Sequence, residues 1–121
     1  MAESLHQIEP MGMVLDTATA LERVEGDREL LQELAQMFLE HAPVMMAELR
    51  EACDRRDGDA LQRAAHSLKG SAGNLAADEV CETARNLELM GHSGDLSDCA
   101  RLLAELEAEM ARLEAALAEL A

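Results

Sequence analysis

From about residue 16 to the end, hydrophobic positions recur every three or four residues, and nowhere do they alternate with period two over a strand length. That spacing marks amphipathic α-helices. Residues 1–14 carry weak signals and read as a loosely ordered lead-in, with one helical domain over 15–121. Asp16 can cap a short helix to about Val24; Gly26 ends it and Asp27 caps the next. That second helix carries Leu30, Leu34, Met37, Phe38 and His41 on one stripe. Pro43 interrupts it, and a helix restarting there with proline in its first turn extends the stripe through Met45, Met46, Leu49, Ala52 and Cys53 to about Arg56.

Asp57-Gly58-Asp59 forms a turn with a built-in cap, and the next helix runs from about Asp59 to Leu75 with Leu61, Ala65, Leu68, Ala72 and Leu75 on one face. Another begins near Ala77 or Asp78 and turns Val80, Ala84 and Leu87 inward; Gly91-His92-Ser93-Gly94 reads as a loop. The last helix starts at Asp95 or Leu96 and carries Leu96, Cys99, Leu103, Leu106, Met110, Leu113, Leu117 and Leu120. Steps of three and four make this a heptad-type seam. It can be buried within the chain or against a second one. The other amphipathic helices supply partners, so burial within a monomer is expected. Long helices joined by short loops predict an all-α fold, an antiparallel four-helix bundle with one or two short additional N-terminal helices.

Composition supports this picture. Among 121 residues Phe38 is the only aromatic, so the core must come from Leu, Ala, Met and Val. The net charge of −15, from 25 acids against 10 bases, argues against nucleic acid or an anionic membrane surface as partner. No apolar run approaches the roughly 20 residues of a membrane span. The start MAESLHQIEP has neither the basic end nor the apolar stretch of a signal peptide, so a cytoplasmic location is expected. Cys53, Cys81 and Cys99 are odd in number and widely spaced, which speaks against a disulfide framework or a zinc site and for small buried side chains.

One helix face does not look structural. Each residue advances about 100° around the axis, which puts His66 roughly 140° to 160° from Leu61, Leu68 and Leu75, on the outward side. Lys69 and Gly70 lie one turn beyond it, Gly73 two turns beyond, and Gln62 and Arg63 one turn before. Each glycine costs about 1 kcal/mol relative to alanine inside a helix. On an outward face it clears bulk, so that another surface can approach the imidazole. A neutral imidazole is a nucleophile near pH 7, and a phosphoryl group on it could pair with the Lys69 ammonium. Ser67 and Ser71 could add hydroxyl contacts, or be ordinary surface serines.

The unbroken run Ala65-His66-Ser67-Leu68-Lys69-Gly70-Ser71-Ala72-Gly73-Asn74-Leu75 resembles the signature of histidine-containing phosphotransfer (HPt) domains. Phe38 to Pro43, Gly58-Asp59 and Leu87-Glu88 extend the similarity, which covers residues 16 to about 115. The resemblance implies a four-helix bundle whose histidine, here His66, exchanges a phosphoryl group with receiver-domain aspartates in a multistep phosphorelay. It implies Lys69 near the phosphoryl group and Gly70 under the docking partner. It also implies no cofactor on this chain, the Mg²⁺ belonging to the receiver. Glu88 and His92 fall where such domains often place polar residues near the histidine. Ala76 stands where the pattern often has glycine, which leaves the turn after Leu75 open. The initial methionine and small size favour a free-standing carrier.

Three other readings compete. A self-sufficient kinase would need a phosphate-cradling loop such as G-x-x-x-x-G-K, which the sequence lacks. A non-catalytic helical adaptor or dimerisation module could use the C-terminal seam, but has no need of outward glycines. A metal-binding bundle would pair Glu-x-x-His, and His6, His41, His66 and His92 show no such pairing.

Overall fold

A computed structural model describes residues 14–120. Most of the expected lead-in, including His6, lies outside these residues. Five helices follow one another: α1 (Thr17–Arg23), α2 (Arg28–Asp54), α3 (Gly58–Asn74), α4 (Asp78–Ser93) and α5 (Cys99–Leu120). There is no strand among the described residues. Asp16, Asp27 and Asp57 cap the first three helices, each accepting from the backbone N–H three residues on, at Thr19, Leu30 and Ala60. Gly26 (φ +79°) and Gly94 (φ +84°) turn the chain after α1 and α4 in the left-handed conformation that glycine adopts freely.

α2 packs on α3 and α5, and α4 packs on α3 and α5, which closes a four-helix bundle. α1 lies against the bundle at the far end of α3, where the Asp16 N–H donates to the Ala76 carbonyl and the Arg23 guanidinium donates to the Gly73 carbonyl. Leu31, Leu49, Leu61, Leu68, Leu87, Leu106, Leu113 and Leu117 are fully buried. The C-terminal seam is thus spent inside the chain, from Leu96 to Leu117, with Leu120 half-buried.

Several local expectations are corrected. Pro43 does not break its helix: α2 is continuous from Arg28 to Asp54 with Pro43 inside it on the exposed side. The lost backbone bond is outweighed by the buried Ala42, Met46 and Leu49 that hold the register on either side. The inward face of the first half of α2 is Leu31, Ala35, Phe38 and Ala42, so Leu30 and Met37 lie exposed and Leu34 half-buried. Large apolar side chains misled because the alanines, which let neighbours come close, define that face. α4 runs on through Gly91, His92 and Ser93, which had read as loop. α5 begins at Cys99, because Asp95 accepts from the backbone and hydroxyl of Ser97 and ties the preceding residues into a turn. After Leu75, Ala76 takes φ +56° without a glycine, its methyl buried.

The cysteines also depart from expectation. Cys53, at the end of α2, forms a disulfide with Cys99, at the start of α5, with Cα atoms 6.1 Å apart. Forty-six residues separate them, so spacing along the chain carried no sign of a contact that the bundle creates. Cys81 is free and half-buried.

Candidate functional site

α3 divides cleanly into two faces. Leu61, Ala65, Leu68 and Ala72 are fully buried, whereas the His66 side chain on the opposite side is 68% exposed. A Cβ added to Gly70 would meet nothing within 4 Å, and one added to Gly73 would meet only Cys81 Sγ at 3.8 Å, an ordinary contact. No packing within the fold therefore asks for glycine at either position. The side chain of Lys69, one turn beyond His66, is only 32% exposed because it lies along α4.

What organises this face comes from α4. Glu88 places Oε2 2.8 Å from His66 Nδ1 and Oε1 2.7 Å from Lys69 Nζ. One carboxylate thus holds both groups. The Lys69 hydrogen bond keeps the Glu88 carboxyl below the usual glutamate range; burial opposes this, and the His66 contact adds to it. An ionised carboxylate can only accept, so the His66 proton resides on Nδ1 and the lone pair of Nε2 faces away from Glu88. Sequence reasoning placed Glu88 near the histidine but assigned it no role. Spacing within α3 cannot show a partner on another helix.

The remaining expected residues separate. Arg63 and Ser67 line the groove between α3 and α2, together with Glu48, Glu51 and Arg55, on the side away from Lys69. Gln62 is half-buried where α4 crosses α3. His92 is exposed in the last turn of α4, one turn beyond Glu88, where a helix C-terminus favours a cation. Cys81 lies under the site, its Sγ 3.7 Å from the Lys69 carbonyl; burial, and then the Asp78 charge, push its thiol up. Arg23 was not anticipated; its bond to the Gly73 carbonyl ties α1 to the end of α3. Among the described residues, no three His, Cys, Asp or Glu side chains gather as a metal site requires, and no helix is long and apolar enough to cross a membrane.

The family model described as the Hpt domain matches residues 33–116. The chain belongs to the Hpt domain family. The Hpt match takes in α3, α4 and most of α2 and α5. Histidine phosphotransfer in phosphorelays is the activity of this family, whose members are carriers of the phosphoryl group rather than kinases. The fold is also that of a solved structure, histidine-containing phosphotransfer protein B (HptB) from Pseudomonas aeruginosa PAO1. The TM-score is 0.81 at 24% identity, over 88% of this chain and 92% of that one. Comparison with curated proteins finds no match.

Proposed function

We propose that this Hpt domain is a relay intermediate in which His66 accepts a phosphoryl group from the aspartyl phosphate of a receiver domain and returns it to a receiver aspartate. The observation that carries this reading is the Glu88 carboxylate bound at once to His66 Nδ1 and Lys69 Nζ beneath an otherwise open face. Nε2 is the nucleophile. It attacks phosphorus in line, the N–P bond forms as the acyl-phosphate O–P bond breaks, and the electron pair of the broken bond leaves on the receiver aspartate. Positive charge develops on the ring as Nε2 is phosphorylated. Glu88, already bonded to the Nδ1 proton, stabilises it. Lys69 has three donors, so it can keep Glu88 and still reach a phosphoryl oxygen.

The partner docks over His66, Lys69, Gly70 and Gly73, a face on which Gly70 leaves open space. Gln62 borders this surface at the α4 crossing. Arg63 and Ser67 stand on its α2 side and would meet only the rim of a receiver. The Mg²⁺ that transfer needs would sit on the receiver, and the chain itself would bind no ATP. The proposed setting is cytoplasmic, a reducing compartment in which Cys53 and Cys99 would stand as thiols.

The test is transfer from a receiver charged with labelled phosphate. The native chain should take up acid-labile label, His66→Gln none, with equal helix content by circular dichroism. Label retained in the variant, or label acquired by the native chain from ATP and Mg²⁺ alone, contradicts the proposal.

A further inference from the structure

α3 and α4 are the most extensively packed pair of helices, and two glycines meet where they cross. A Cβ on Gly91 would lie 2.6 Å from the Gly58 carbonyl oxygen, 2.7 Å from the Gln62 nitrogen and 3.1 Å from Gln62 Cα. From the other side, a Cβ on Gly58 would lie 2.8 Å from the Gly91 carbonyl oxygen. All of these neighbours are backbone atoms, which cannot rotate aside. Gly91 sits within α4 at negative φ, so left-handed backbone is not the reason for glycine there. It carries the helix cost of about 1 kcal/mol for the sake of approach alone.

The crossing is one helical turn from the site. Gly91 follows Glu88 by three residues on α4, and Gln62 precedes His66 by four on α3. Moving a methyl group from 2.6 Å to the 3.4 Å of ordinary contact requires α4 to withdraw by about 0.8 Å. The same withdrawal would carry the Glu88 backbone away from α3, and a carboxylate that bonds His66 at 2.8 Å and Lys69 at 2.7 Å would have to re-extend toward both at once.

We propose that Gly91 is a positioning residue: by admitting the α3 backbone, it sets the helix separation at which Glu88 holds both His66 and Lys69. The inference rests on the phosphotransfer reading only for its effect on rate. Its structural readouts are independent of that reading, so the two can fail separately.

The experiment compares native protein, Gly91→Ala and Leu117→Ala, the last a core truncation in α5 away from the crossing. Nitrogen-15 NMR reports which His66 nitrogen carries the proton, and carbon-13 NMR follows the Glu88 carboxyl. Expected for Gly91→Ala is loss of the Nδ1–H preference and a Glu88 carboxyl that titrates at higher pH than in the native chain. Its rate of phosphoryl uptake should fall as far as that of Glu88→Gln, and the double variant should fall no further, because both changes remove one interaction. Leu117→Ala should lower stability and leave both NMR signatures as they are. Should Gly91→Ala not fold, Gly58→Ala, which presses on the same contact from α3, is read in its place. A folded variant of either glycine with native His66 tautomer and native Glu88 titration overturns the proposal, as does a fully additive double variant.

Discussion

The α2–α5 side of the bundle and the α3–α4 side are built from the same residue types but organised for different ends. Between α2 and α5 the chain ties itself down: Arg50 pairs with Glu107, Cys53 is bonded to Cys99, and the α5 seam is buried. On the α3–α4 side, glycine brings two backbones into contact at Gly58 and Gly91, while Gly70 leaves open space and Gly73 faces Cys81 at ordinary contact distance. Here the close approach serves a single carboxylate that spans an imidazole and an ammonium. Stability and chemistry are therefore separable, and substitutions on the two sides should have opposite signatures.

The largest separation should come from the disulfide, tested on chain isolated with the Cys53–Cys99 bond formed. Closing a loop of forty-six residues is worth up to about 4 kcal/mol through the entropy of the unfolded chain. Reduction, or Cys53→Ser, should lower the denaturation midpoint accordingly. The rate of phosphoryl uptake by the folded fraction should not change. A fall in that rate would show that the two sides are coupled.

Glu88→Gln should do the reverse. Replacing a carboxylate by an amide turns two charge-assisted hydrogen bonds into neutral ones, a loss of about 1 kcal/mol each and about 2 kcal/mol together, so uptake should fall about 30-fold. The loss in stability should be small, and its dependence on pH gives a second check. The Glu88 carboxyl is held below its ordinary value of 4.5 in the fold. Its contribution is therefore complete above that value and is lost as pH falls through the lower folded value. The difference in stability between native and variant should be present near pH 6 and vanish in strong acid. A difference that grows on acidification would contradict the assignment of Glu88 as an ionised acceptor.

The smallest effect is expected at Gly70. Alanine there meets nothing, so Gly70→Ala should stabilise the fold by up to about 1 kcal/mol while slowing transfer, because the added methyl stands where the receiver docks. Stabilisation without any loss of transfer would move the docking surface elsewhere.

How much of this was legible in the sequence follows the same division. The periodicity of α3 and the aspartate caps at Asp16 and Asp27 are local, so their pattern along the chain was enough to place His66 and Gly70 on an exposed face, whereas Lys69 and Gly73 are half-buried toward α4. Continuity through Pro43 was not legible, because it depends on packing of Ala42 and Met46 that outweighs a local preference. The disulfide and the double contact of Glu88 are meetings across helices, invisible to spacing. Gly91 was misread as a loop residue because glycine near a helix end usually signals termination. Its reason for being glycine lies in the backbone of α3, which only the folded chain brings near.

In the proposed reaction, phosphoryl transfer occurs at Nε2 of His66 with Nδ1 held by Glu88. Phosphorylating nitrogen-15-labelled chain with a charged receiver and recording the phosphorus and imidazole nitrogen signals tests it directly. One phosphorylated residue is expected, His66, with phosphorus coupled to Nε2 and a proton retained on Nδ1. Phosphorus on Nδ1, or on any other side chain, would contradict it.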